Sequence, residues 1–155
     1  GVGDPADLVT LIDSAIADNP ENVDLWFGRG RIFYALKNYD ESIASFKKVV
    51  ELKPDLFEGN YYLGVFYTIK ADEMNKVMNE KQYSSQTAYD TDLKEVNAVY
   101  MDAVPWFEKA YELKKDDVNT LDFLKSICFR LRDEEGMMDK YNKYNTLLKE
   151  AKGEE

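Results

Sequence analysis

The sequence predicts an all-α fold, a right-handed α-solenoid of stacked antiparallel helix hairpins, with about seven helices. Three observations carry this. Apolar residues recur at helical spacing along most of the chain. Only four prolines and eight glycines interrupt 155 residues, which favours long helices over many short strands. A set of large and small residues also returns at a period of about 34, and a hairpin of that length cannot bury its own apolar face, so neighbours must stack into one core.

The elements follow in order. Asp4-Pro5 opens the first helix, with Asp as N-cap and Pro where its missing N–H is harmless. Leu8, Leu11, Ile12, Ala15 and Ile16 form one apolar face, and Asn19-Pro20 ends the helix. The second helix runs from Val23 to Leu36, and Lys37-Asn38-Tyr39 turns the chain. The third runs from Asp40 to Leu52 with Ile43, Phe46, Val49 and Val50 inward, and Pro54 blocks continuation. The fourth starts near Asp55 and continues through Met74, Val77 and Met78, which are expected to face Val96, Val99 and Tyr100 of the fifth as a small antiparallel pair. The polar stretch Lys81–Asp90 reads as a loop. Asp92 with Glu95 makes a capping box for a fifth helix, which runs to Lys115 and is expected to bend at Pro105. Asp116-Asp117 starts the sixth, with Leu121, Leu124, Ile127, Cys128 and Leu131 on one face. After Arg132-Asp133 the last helix carries Met137, Met138, Tyr141, Tyr144, Leu147 and Leu148.

Pro20 and Pro54 are 34 residues apart, and the same shift maps Trp26, Gly30 and Phe33 onto Asn60, Gly64 and Tyr67. In the second halves of the hairpins the shift grows to 61, mapping 45–52 onto 106–113. The difference is a 27-residue insertion between Ile69 and Ala103. A shift of 95 maps Trp26, Phe33, Leu36, Phe46 and Leu52 onto Leu121, Cys128, Leu131, Tyr141 and Leu147. The reading is one domain over 1–155: a lone helix at 5–19, repeats at 23–54, 55–115 and 116–150, and an insertion over about 70–102 of the second.

Composition excludes several functions. Net charge is −10, split −3, −4 and −3 over residues 1–54, 55–115 and 116–155. So even an acidic surface disfavours nucleic acid and anionic membranes. No apolar stretch of about 18 residues is present to insert into a membrane. With no histidine and a single cysteine, His-dependent triads, His-ligated zinc and internal disulfides are impossible. Cys128 sits on an apolar helix face, where packing is its role. The paired acids Asp72-Glu73 and Asp116-Asp117 sit at helix starts or on solvated faces, and Gly28-Arg29-Gly30 lacks the third glycine of a phosphate loop. No catalytic residue, metal site or cofactor is therefore expected. A removed N-terminal segment would explain the start at Gly1-Val2-Gly3, which lacks Met and a leader.

Trp26, Gly30, Phe33, Tyr39, Ser42, Phe46 and Pro54 resemble the pattern of the tetratricopeptide repeat family. Leu63-Gly64, Tyr67, Ala103, Phe107 and Ala110 resemble a second repeat split by the insertion. Leu121, Leu124, Cys128, Met137 and Tyr141 resemble a third, which departs from the pattern at Lys125. The long hairpin with its internal proline is similar to that of bacterial members, a resemblance that favours an exported or periplasmic setting over a cytoplasmic one.

The resemblance implies a protein–protein interaction scaffold, not an enzyme. The first helix of each hairpin would line a concave groove for a peptide or helix of a partner protein. On that face fall Phe27, Arg31 and Tyr34, then Tyr61 and Val65, then Phe129 and Arg130. The carboxylate clamp of some members is absent: the matching places hold Phe27, Arg31, Tyr62, Asn119 and Phe123, only one of them basic. The insertion tip, with Tyr83 and Tyr89, is a second candidate contact surface. The alternatives are a self-association module, giving a homo-oligomer through the long hairpin or the end helices, and an enzyme of unknown type.

Overall fold

The computed structural model describes residues 3–154. Among them the elements are α1 (Pro5–Asp18), α2 (Val23–Ala35), α3 (Tyr39–Leu52), α4 (Phe57–Glu80), α5 (Gln86–Leu113), α6 (Val118–Arg130) and α7 (Met137–Ala151), with no strand. Each helix packs chiefly on the one before and the one after it. The chain is thus a solenoid of the hairpins α2–α3, α4–α5 and α6–α7, with α1 leading. Side-chain caps set most of the starts. Asp4 accepts from the Ala6 N–H at 3.0 Å, Asn22 from Asp24 at 3.0 Å and Asp117 from Thr120 at 2.9 Å.

The close approach of the two helices in a hairpin rests on glycine. A Cβ at Gly30 would lie 2.4 Å from the Phe46 ring, and one at Gly64 would lie 2.8 Å from Phe107. Both rings are fully buried, so neither can yield. The Ser42 hydroxyl donates to the Gly30 carbonyl at 3.0 Å and ties the same crossing with a hydrogen bond. A second device recurs with a change of residue. The Trp26 indole N–H donates to the Pro20 carbonyl at 2.8 Å, and Asn60, at the equivalent place, donates to the Pro54 carbonyl at 3.0 Å. Two buried clusters result. One gathers Ile43, Phe46, Val49, Leu63 and Phe66, and the other centres on Phe107, Leu121, Leu124 and Tyr144; Tyr67 touches both. Each such side chain contributes about 1.5–3 kcal/mol on full burial.

Three expectations need correction. The loop proposed for Lys81–Asp90 ends at Ser85, whose hydroxyl accepts from the Ala88 N–H at 3.1 Å and starts α5 at Gln86. Asp92 is therefore not a cap but lies inside α5. Val77 does not join the α4–α5 seam; it is 54% exposed, while its neighbour Met78 is buried with Val96 and Tyr100. In the third hairpin the connection Leu131–Gly136 is three residues longer than Leu36–Asn38, with Gly136 at φ 80°. The place of Phe46 and Phe107 is consequently taken by Tyr144, 1% exposed, and Tyr141 is only half-buried. α5 passes through Pro105 as one helix, with that residue exposed.

The long hairpin projects as expected. α4 and α2 start at equivalent caps, and α4 has 24 residues against 13, so it extends past its neighbour by about 16 Å at 1.5 Å per residue. Elsewhere polar ties cross between helices. Arg29 on α2 binds Asp13 on α1 at 2.8 Å and Glu41 on α3 at 2.9 Å. Burial opposes its charge, but the two carboxylates outweigh burial and raise its pKa. Tyr144 donates to Glu108, which also holds Lys140 at 2.9 Å. Burial, then the Glu108 bond, raise the Tyr144 phenol far above its ordinary value.

Three outcomes are expected. Gly64→Ala should destabilise by about 1–3 kcal/mol through overpacking on Phe107. Gly28→Ala, whose Cβ would meet only Ile12 at 3.7 Å, should be neutral or gain up to about 1 kcal/mol from helix propensity. Urea unfolding of both variants reads the contrast. Tyr144→Phe should cost about 1.5–3 kcal/mol at neutral pH, because the bond to Glu108 is to a charged acceptor. The phenol is held neutral in the fold, so this stability is complete below its unfolded pKa near 10 and is lost as pH rises toward the raised value. Denaturation curves from neutral to strongly alkaline pH should therefore converge for wild type and Tyr144→Phe.

Candidate functional site

Two cavities open along the row α2, α4, α6. The first, of about 590 Å³, is lined by Phe27, Arg31, Tyr34 and Ala35 from α2 and by Tyr62, Val65 and Phe66 from α4. The Phe46 ring of α3 closes its floor. These rings pack on one another: Phe27 on Phe46 at 4.8 Å, Phe46 on Phe66 at 4.9 Å, Tyr34 on Phe66 at 5.6 Å. Because Phe46 and Phe66 are buried in the core, the cavity wall is held rigidly by the fold itself. Its polar groups are the exposed Arg31 guanidinium and the Tyr34 and Tyr62 hydroxyls, and no carboxylate lines it.

The second cavity, of about 350 Å³, lies between α4, α5 and α6 and is polar. Thr68, Asp72, Asn119, Asp122, Ser126 and Arg130 line it, over Tyr100 and Phe123. Arg130 is fixed from three sides: it donates to Asn75 at 2.9 Å and to Asn97 at 3.2 Å, and its guanidinium lies 4.4 Å over the Tyr100 ring. Tyr100 in turn donates to Asp72. Burial, then that bond, raise the Tyr100 phenol, with Arg130 opposing. The cavities adjoin on α4, where Val65 belongs to one and Thr68 to the other.

The structure brings Phe27, Arg31, Tyr34 and Val65 together around one space and sets Arg130 in the adjoining one. Two expected groove residues lie elsewhere. Tyr61 packs among Phe57, Tyr62, Phe107 and Phe123 and lines neither cavity. Phe129, 46% exposed, turns to Tyr141 of α7 at 5.1 Å beneath the Arg132 guanidinium. One residue is about 100° around a helix, so Tyr62 and Arg130 occupy the directions that Tyr61 and Phe129 miss. At the insertion tip Tyr83 and Tyr89 pack edge to face at 5.3 Å, and Tyr83 donates to Asp92 at 2.7 Å. Lys81 shares that carboxylate at 3.0 Å. Burial first, then the Asp92 bond, push the Tyr83 phenol up to about 12. The tip tyrosines thus satisfy one another within the hairpin.

Sequence reasoning placed Tyr62 only among the clamp positions and missed Phe66 as a wall residue, although their i, i+4 spacing beside Val65 signals the same α4 face. It also missed Asp72, Asn75, Asn97 and Tyr100. All four belong to the insertion, where the repeat offers no counterpart. Cys128 is fully buried, and burial pushes its thiol up to about 11, which keeps it unreactive. Among the described residues no three His, Cys, Asp or Glu side chains stand together as a metal site, and no helix is long and apolar enough to cross a membrane.

Residues 2–56 match a family model described as tetratricopeptide repeat. A search of curated protein sequences found no match. Among solved structures, MamA (MSR-1 C2) is 18% identical over 94% of this chain and 68% of its own, with a TM-score of 0.59. MamA from Desulfovibrio magneticus RS-1, from residue 41 to its end, is 16% identical over 94% and 86%, with a TM-score of 0.40. YrrB, described as a TPR protein with an unusual peptide-binding site, is 18% identical over 90% and 74%, with a TM-score of 0.36. At 18% identity the likeness to MamA (MSR-1 C2) is one of fold. With its repeated Gly–Phe crossings and stacked hairpins, the chain has the fold of a tetratricopeptide-repeat solenoid, and its first repeat matches that family's model.

Proposed function

We propose that this protein is a non-catalytic interaction scaffold, holding a peptide segment or helix of a partner protein along the α2–α4–α6 face. The observation that carries the reading is the first cavity: about 590 Å³, walled by aromatic rings whose positions the core dictates, and open to solvent beside Arg31. Its volume lies in the range of small-ligand and side-chain pockets, and aromatic walls with an arginine at the rim are the usual centres of binding energy. A wall preformed by packing requires no ordering of the receptor, so ordering falls on the ligand alone. The family-model match over residues 2–56 supports the same reading, since scaffolds of this class are generally non-catalytic.

Self-association is the second reading, favoured by apolar side chains exposed near the two ends of the stack: Leu11 at 63% on α1 and Met138 at 44% on α7.

The test pairs Arg31→Glu with Tyr34→Ala, both exposed and outside the buried clusters. Stability should stay within about 0.5 kcal/mol of wild type, as is usual for surface changes. Affinity capture from the source lysate should lose a protein in the double variant that wild type retains. Equal capture by both would move the site off this face, and a mass that rises with concentration, with no other protein captured, would put self-association first.

A further inference from the structure

The polar groups of the two cavities differ in kind, and the difference selects a ligand. The first cavity offers only groups that can donate: the Arg31 guanidinium and the Tyr34 and Tyr62 hydroxyls, none hydrogen-bonded or ion-paired among the described residues. The contrast with Arg29, two residues earlier on α2, is direct, because Arg29 is consumed by Asp13 and Glu41. In a chain with 30 acidic residues, Arg31 stands over an apolar cavity that none of them lines. The second cavity has the opposite balance. Arg130 is occupied by Asn75, Asn97 and the Tyr100 ring, whereas Asp122 is exposed without a partner among the described residues and Asp72 accepts only from Tyr100.

We propose that the face reads a charge-ordered peptide segment: a bulky apolar side chain flanked by Asp or Glu in the first cavity, and a Lys or Arg a few residues away against Asp122 and Asp72. This deepens the scaffold reading and rests on it. The apolar side chain fills the space over Phe46 and Phe66. The adjacent carboxylate meets Arg31 and the tyrosine hydroxyls, where a charge-assisted bond is stronger than a neutral one. Val65 and Thr68 lie one turn apart on α4, so a single extended segment spans both cavities. Like-charge placement rejects the reversed order, so the same groups set the direction of the bound chain.

The test is selection from a phage-displayed random peptide library on wild type, Arg31→Glu, Asp122→Lys and Val65→Trp, the last filling the first cavity. Tyr34→Ala serves beside it in case Val65→Trp unfolds. The wild-type consensus should place Asp or Glu next to Phe, Leu, Met or Trp, with Lys or Arg beyond. The resynthesised consensus peptide should bind Arg31→Glu at least about tenfold more weakly, a loss of about 1.4 kcal/mol. Arg31→Glu should itself select Lys or Arg beside the apolar residue, and Asp122→Lys should lose the distal basic preference. Peptides that need the open cavity but carry no carboxylate, or an Arg31→Glu affinity equal to wild type, would overturn the charge order while leaving the scaffold reading intact. Peptides that bind wild type and the variants with an altered cavity wall, Val65→Trp and Tyr34→Ala, equally, or no enrichment at all, would overturn both. Enrichment of this chain's own segments, with a concentration-dependent mass abolished in Arg31→Glu, would assign the face to a second copy and overturn the partner.

Discussion

The contact between a glycine on one helix and a phenylalanine on the next governs the rest of this structure. Gly30 under Phe46 and Gly64 under Phe107 let two helices approach until an aromatic ring lies against the opposing backbone. That approach buries Phe46 completely, and Phe46 then supports Phe27 and Phe66. The floor of the first cavity is therefore the outer side of the core. Cavity wall and core are two sides of the same few rings, so the wall needs no scaffold of its own.

The insertion adds a second layer of dependence. Lengthening α4 and α5 supplies Asp72, Asn75, Asn97 and Tyr100, and these residues immobilise Arg130 at the C-terminal end of α6. An arginine that carries no carboxylate is thereby held by neutral acceptors and a ring face, which leaves the carboxylates of that cavity unneutralised. The long hairpin thus acts on the face at its base, while its tip is closed on itself by Tyr83, Tyr89, Lys81 and Asp92.

Much of this was legible in the residues. Pro20 and Pro54, the Gly–Phe spacing and the shift of 61 place the hairpins and the insertion, because close helix approach demands a small residue opposite a large one. Arg31 and its neighbours were legible through the resemblance to the repeat family, which implies that the first helix of each hairpin lines a groove. What escaped has local physical causes. Ser85 captured the start of α5 because a hydroxyl cap three residues before Ala88 outweighs the more distant Asp92 signal. Tyr144 replaced Tyr141 because six residues join α6 and α7 where three join α2 and α3, and no periodicity reports a loop length. Tyr61 and Phe129 differ from the true wall residues by one position, an angular error that spacing alone cannot resolve when adjacent residues are both aromatic or apolar.

The order of packing also shapes how the chain reaches this fold. Because each helix meets chiefly its sequence neighbours, closing any hairpin sacrifices little chain entropy, and structure can start in more than one place. The hairpin α4–α5 joins the two longest helices through only Lys81–Ser85, so a short loop brings together the most extensive helix pair of the stack. A folding nucleus is therefore expected there, with the shorter hairpins adding to it in both directions.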